Sequence, residues 1–340
     1  MRTMRLAGVA GVLLLLTAGV AGVRAPAATA KHCKAGSTSA TIAGKHVCLK
    51  PGARCAKRND RAFHRYRFHC HSGRLTRFPA PPPAPAPGPV PPTLAEPPAP
   101  GGELVDVGGY RLHLECAGTG TPTVVIEPGN TGSRHNPRKA QYALAADTRV
   151  CTYDRPGTVT PIPGSSDPRP ATVPATSETF ARELHTVLAN GNVPGPYLLV
   201  GASFGGMLIA AFTAHYPADV VGLTFIDAVG PGSVETLARS LIEPWEPGGD
   251  LGLIRGMTFG SRPVVVLTTT LVDEAADIQR RSSNVLVATA PKYGHFVFAE
   301  VPGLAYEAIR VAVGAVRAGG TLPRCVDTLL PQVGARCTTP

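Results

Sequence analysis

Aromatic side chains are scarce. Phe, Tyr and Trp make up 6% of the 340 residues, so no extended aromatic platform is suggested. Long apolar runs are missing after residue 23, and no later stretch could span a bilayer. No cysteine closely follows the N-terminal apolar run, which argues against a bacterial lipid anchor, and there is no twin-arginine pair. Acidic residues are almost absent from residues 31–78, where Asp60 stands alone against 12 Lys and Arg, a net +11. The overall +10 is therefore a property of that short stretch, because everything after residue 78 sums to −4. No internal repeat is present.

What the chain has in quantity is Pro and Gly, 35 and 38 residues, a composition of linkers and turn-rich loops. Residues 79–102 read PAPPPAPAPGPVPPTLAEPPAPGG, a Pro-rich linker expected to be extended polyproline II. At the N-terminus, Arg2 and Arg5 precede an apolar run from Leu6 to Val23, and Ala28-Thr29-Ala30 supplies an A-x-A site. This pattern predicts a cleavable signal peptide over 1–30, with the mature chain starting near Lys31 and the protein secreted or held at the cell envelope. The expected organisation is then a basic Cys-rich module at 31–78, the linker at 79–102, a large domain at 103–318 and a tail at 319–340. In an exported protein, eight cysteines read as disulfides before they read as metal ligands.

After the linker, short apolar runs alternate with helical patterns, which is the signature of a parallel α/β sheet. Glu103–Val107 and Arg111–Glu115 flank Gly108-Gly109 and predict a hairpin. Further strands are expected at Thr123–Ile126, Arg149–Tyr153, Tyr197–Val200, Val220–Ile226, Pro263–Leu267 and Asn284–Thr289. Helices are expected at Pro137–Ala146, Ser177–Leu188, Phe204–His215 and Pro302–Val316.

The central motif is Gly201-Ala202-Ser203-Phe204-Gly205. As a bare pattern G-x-S-x-G is weak. Here it follows a buried strand and opens an apolar helix, a turn that holds a serine in a strained, exposed backbone position. The helix N-terminus also favours negative charge developing beside Ser203. A serine hydroxyl needs a base at neutral pH. His295, in Lys292-Tyr293-Gly294-His295-Phe296, lies past the last strand and before the last helix, where that base is expected.

Residues 103–318 resemble the α/β-hydrolase fold superfamily, specifically its bacterial secreted serine hydrolases. The stretches that carry the resemblance are VDVGGYRLHLECAGTGTPTVVIEPG, RVCTYDRPG, GPYLLVGASFGG, VVGLTFIDA and GHFVFAEVPGLAYEAI. The resemblance implies an α/β sheet, mostly parallel with an N-terminal antiparallel hairpin, helices on both faces and a short lid. It also implies Ser203 as nucleophile, His295 as base, and an acid that orients the histidine. Asp227, at the end of Val220–Ile226, is preferred for that acid, with Asp273 as the alternative. The oxyanion hole is expected from the N–H of Phe204 and from the loop 128–132, with Asn130 the best placed. An epoxide or haloalkane hydrolase of this fold would usually carry Asp at position 203, so Ser203 disfavours both.

The strand order that the resemblance implies makes Cys116 and Cys151 neighbours, and Cys325 with Cys337 would staple the tail. The four cysteines at 33, 48, 55 and 70 should form two disulfides, with three connectivities open. His64, His69 and His71 beside Cys70 invite a zinc reading, but their spacing matches no standard finger. VCLKPGARCAKRNDRAFHRYRFHCHSGRL resembles a short Cys-rich module of exported bacterial proteins, and its charge favours polyanions such as anionic cell-envelope polymers over nucleic acid.

The function expected is an exported serine hydrolase that cleaves a carboxylic ester, with an amide or thioester less favoured, through an acyl-enzyme and without metal or organic cofactor. The substrate would be a small-molecule or lipid-like ester, its fit set by the 228–262 segment and the 158–172 loop. The alternative is an envelope-binding protein whose hydrolase-like domain is a silent scaffold.

Overall fold

A computed structural model describes residues 33–34, 36–64, 66, 68–77, 93–233 and 248–338. The expected signal peptide, the first part of the Pro-rich linker and the middle of the expected lid lie outside the described residues. The chain divides at residue 84 into two compact units.

In the small unit, β1 (Thr38–Ile42) and β2 (Lys45–Leu49) form one antiparallel hairpin, and β3 (Phe68–His71) and β4 (Arg74–Arg77) form another, with helix α1 (Asp60–His64) between them. Its core is six buried side chains: Ala40, Ile42, Leu49, Phe63, Phe68 and Leu75. So small a core is marginal without staples. Two disulfides supply them, Cys33–Cys48 and Cys55–Cys70, which selects one of the three connectivities.

In the large unit, nine of the described strands form one sheet. They are β5 (Glu103–Asp106), β6 (Arg111–Ala117), β7 (Thr123–Glu127), β8 (Val150–Tyr153), β9 (Tyr197–Ala202), β10 (Val220–Ile226), β11 (Val264–Thr268), β12 (Val285–Thr289) and β13 (Arg336–Cys337). Their spatial order is β13-β12-β11-β10-β9-β7-β8-β6-β5. From β8 to β12 all pairings are parallel, whereas β5, β6 and β13 join antiparallel at the two ends. The described α-helices of this unit are α2 (Arg138–Leu144), α3 (Ser177–Asn190), α4 (Gly205–His215), α5 (Leu251–Gly256), α6 (Val272–Arg280), α7 (Val297–Glu300) and α8 (Pro302–Arg317).

The central strands are apolar throughout because both faces of the sheet are covered. Along β9, Leu199 joins a core with α3 and α4, while Leu198 and Val200 join a core with α2 and α8. Along β11, Val264 and Val266 face the first core, and Val265 and Leu267 the second. This strict alternation is the period-2 geometry of a strand buried on both sides.

The sequence pattern places strands β5 to β12 and helices α2, α3, α4 and α8 within a few residues of their observed bounds, but it does not anticipate the short helices α5, α6 and α7. It misses β13, a two-residue strand too short to leave a periodic signal. Residues 336–337 of the expected tail pair with β12, and Cys325–Cys337 closes that segment. Cys116–Cys151 joins directly opposed residues of β6 and β8. At the end of the Pro-rich stretch, Leu94 packs on the second core and the Pro98 carbonyl accepts from Arg138. All eight cysteines are paired, which points to an extracellular or otherwise oxidising environment.

Candidate active site

The parallel strands β9 and β10 end side by side, and the residue following each has left-handed backbone. Ser203 follows β9 at φ +50° and Asp227 follows β10 at φ +39°. Non-glycine residues adopt this region at a cost, so the surroundings must hold it. Around Ser203 they do: its N–H donates to the Ile226 carbonyl, and its own carbonyl accepts from Gly206 and Val229. The motif glycines leave no room for anything larger. A Cβ on Gly205 would lie 2.5 Å from the Glu127 carbonyl oxygen, and one on Gly201 would lie 2.6 Å from the Gly205 carbonyl oxygen. The turn therefore packs backbone on backbone, leaving Ser203 at the edge of the sheet where open α/β folds bind ligands.

His295 reaches the same edge from the loop between β12 and α7. Its Nε2 lies 2.8 Å from Ser203 Oγ, and its Nδ1 lies 2.7 Å from Asp227 Oδ2. The imidazole is one-third exposed, whereas the Asp227 carboxylate is completely buried. Asp273 is exposed in the first turn of α6, and Asp227 is the carboxylate that occupies His295 Nδ1.

Asp227 sits in a cradle made by the segment following β11. Its Oδ1 accepts from the N–H groups of Thr269, Thr270 and Leu271 at 2.7, 2.8 and 3.0 Å, and from Thr268 Oγ1 at 3.0 Å. Its Oδ2 accepts from Thr270 Oγ1 at 2.6 Å as well as facing His295. Burial alone would raise the carboxyl pKa. The His295 contact, the Thr270 hydroxyl and the backbone donors outweigh it and hold the group well below the usual carboxylate range. No local motif marks these threonines in the sequence. The signal that could have found them is a run of three hydroxyl residues directly after the strand neighbouring β10.

The loop that follows β7 closes the other side. Gly129 comes so near the serine turn that a Cβ there would touch Ser203 Cβ at 3.4 Å. Asn130 lines the same cavity as Ser203, and Phe204 stands at the N-cap of α4. Arg155 holds this loop from beneath. Its buried guanidinium pairs with Glu127 at 2.7 Å, donates to the carbonyls of Pro128 and Gly129, and lies over the Phe204 ring. Its backbone N–H donates to the Gly132 carbonyl. The stretch RVCTYDRPG is prominent in the sequence, but nothing in it states this task.

The cavity over Ser203 has a volume of about 340 Å³. Its walls include Ile126, Pro128, Pro137, Ile226, Val297 and Phe298, so they are mainly apolar. Phe296, also in the lining, is 64% exposed. Among the described residues, these walls come from 126–137, 202–203, Ile226 and 295–299. The 228–262 segment and the 158–172 loop, expected to shape the pocket, do not line it there, and residues 234–247 lie outside the described set.

A family model of the alpha/beta hydrolase fold matches residues 122–252. An alignment of 158 positions, 39% identical, covers 38% of this chain and 28% of an uncharacterized protein of Schizosaccharomyces pombe. The chain thus covers less than a third of the length of the curated relatives it matches. Among solved structures, a candidate lipase of Acinetobacter baumannii superposes with a TM-score of 0.50 at 16% identity, over 64% of this chain and 92% of that one. A membrane phospholipase A described as a bacterial virulence factor superposes with the same score and identity, over 64% and 86% of the two chains. At such identities the likeness is one of fold.

Proposed function

With a model of the alpha/beta hydrolase fold matching residues 122–252, we propose that the chain is a serine hydrolase cleaving a carboxylic ester through an acyl-enzyme on Ser203. The observation that carries this reading is the continuous run of hydrogen bonds from Ser203 Oγ through the His295 ring to Asp227, with no gap above 2.8 Å.

Ser203 Oγ attacks the ester carbonyl as His295 Nε2 takes its proton, and Asp227 orients and stabilises the resulting imidazolium. Negative charge that develops on the carbonyl oxygen meets the N–H groups of Phe204 and Asn130, next to the N-terminus of α4. Collapse of the tetrahedral intermediate breaks the ester C–O bond, and His295 returns the proton to the departing alcohol. Water, deprotonated by the same ring, then releases the acid and restores Ser203.

The apolar walls favour an uncharged acyl or alkyl group, and the exposed Phe296 ring gives the rim an apolar lip suited to a lipid-like ester. The cavity lies at the lower end of the range for small-molecule sites, which argues for short or medium chains. Export through residues 1–30 fits the oxidised cysteines, and N-terminal sequencing of the secreted protein should read from near Lys31.

Labelling by a fluorophosphonate probe tests the reading. The native protein should label and Ser203→Ala should not, and a panel of acyl esters of increasing length should show a preference for short or medium chains. A folded native protein that labels no more than Ser203→Ala would instead favour a silent scaffold with an envelope-binding role.

A further inference from the structure

We propose that the small unit, residues 33–77, is a binding module for a flexible, hydrated polyanion, a linear polymer bearing repeated phosphate or carboxylate groups.

The charge balance has no internal solution. Residues 31–78 carry 12 Lys and Arg against one carboxylate. That carboxylate, Asp60, is spent inside the fold, where its Oδ1 accepts the backbone N–H of Cys70 beside the Cys55–Cys70 disulfide. All eight of the described Lys and Arg side chains are exposed. The catalytic unit adds no general basicity, since residues 79–340 carry −4.

Two of these cations are also placed against each other. Arg54 and Arg74 face one another in an isolated antiparallel bridge. Like charges directly opposed across strands destabilise the pairing. Arg74 Nη1 donates to the Gly52 carbonyl at 2.8 Å, so its guanidinium is held in place, and the disulfide next to Arg54 fixes the strand that carries it. A unit with only six buried core side chains thus keeps a repulsive pair that an anion lodged between them would relieve. Phosphate and carboxylate both match the guanidinium fork.

The form of the surface favours a flexible polymer over the alternatives. Among the described residues of this unit no large apolar side chain is exposed, so they offer no wedge for a lipid interface. Its longest described helix, α1, has five residues, too short to serve as a groove-reading helix for duplex DNA. The cations are distributed over both hairpins and the segment joining them, and a chain that bends can reach more of them than a rigid duplex.

Binding of the full-length protein to long-chain inorganic polyphosphate and to polygalacturonate tests this. Duplex DNA and vesicles containing anionic phospholipid serve as the other arms. Both flexible polymers should bind, more tightly than duplex DNA at equal anion concentration. With several counterions released per contact region, affinity should fall by roughly a thousandfold or more between 50 and 200 mM salt. Arg54→Gln combined with Arg74→Gln should weaken polymer binding by about tenfold at 50 mM salt, while the unit's thermal stability holds or rises because the repulsion is removed. Ser203→Ala should bind like the native protein, which separates this proposal from the catalytic one. Absence of polymer binding at 50 mM salt would overturn the proposal, as would affinity insensitive to salt or to the double variant. Tighter binding to DNA would reassign the surface to nucleic acid, and binding to vesicles alone would reassign it to membranes.

Discussion

The chemistry proposed for Ser203 would depend on one buried carboxylate, Asp227, whose partners are drawn from two strands and the loops beyond them. Replacing Asp227 by Asn keeps the shape and removes the charge. Turnover of a soluble ester should fall by about 10⁴-fold, the scale for losing the orienting carboxylate of such a site. Asp273→Asn, on the exposed turn of α6, should leave turnover unchanged, and the opposite pair of results would move the acid to Asp273. Because the folded-state pKa of Asp227 is depressed, its stabilising contribution is complete above the ordinary carboxylate value and is lost only as pH falls below about 4. Any fall in activity at higher pH therefore belongs to another group. His113 behaves differently. Burial, helped by the nearby Arg134 guanidinium, pushes its pKa down to about 4 against the opposing pull of Glu115. The unfolded chain then binds this proton more readily than the folded one. Stability from the neutral ring is whole above pH 6.5 and shrinks as pH falls from 6.5 toward 4. The melting temperature should decline over that window, and His113→Gln should flatten the decline; equal slopes for the two proteins would count against this account.

At the scale of elements, the strand-turn-helix at Ser203 tolerates almost no added volume. Gly205→Ala would press a methyl group onto the carbonyls of Glu127 and Pro128, which are backbone atoms of the oxyanion loop and cannot swing away. We expect a loss of about 3 kcal/mol or more, read as a shift in the urea midpoint, together with loss of probe labelling. Gly314→Ala on α8 has open space around it and should instead stabilise by roughly 1 kcal/mol through helix propensity. The same elements show how far the sequence can be read. Ser203 and His295 are legible because each sits in a short local pattern at a fixed place in the strand-helix succession. Asp227 was open between two positions because its role depends on sheet order. The donors that hold it, Thr269 to Leu271, lie more than 40 residues away and reach it only because β10 pairs with β11. The described cavity walls are hard to read from the sequence for a related reason: loop-to-loop proximity leaves no periodic trace, and apolar residues at 296–298 look the same whether they fill a core or line a site.

At the scale of the whole chain, four disulfides divide cleanly, two within residues 33–70 and two within 116–337. In the small unit a 15-residue loop closed by a disulfide is worth about 3 kcal/mol, comparable with what six buried side chains can leave over after conformational entropy. Replacing Cys55 and Cys70 together by Ala should therefore unfold the small unit, seen as protease sensitivity within residues 36–77, while hydrolysis of a soluble ester persists. Equal protection of the variant and native small units would refute that balance. The arrangement of bridges has a further outcome, because no covalent staple spans residue 84. One proteolytic cut in the Pro-rich stretch would leave Ser203 on a polypeptide with its own complete set of bridges and an excess of acid over base. If the small unit binds polyanions and Ser203 is catalytic as proposed, that cut would turn a cation held by an anionic matrix into an anion repelled by it, free to diffuse with its chemistry unaltered.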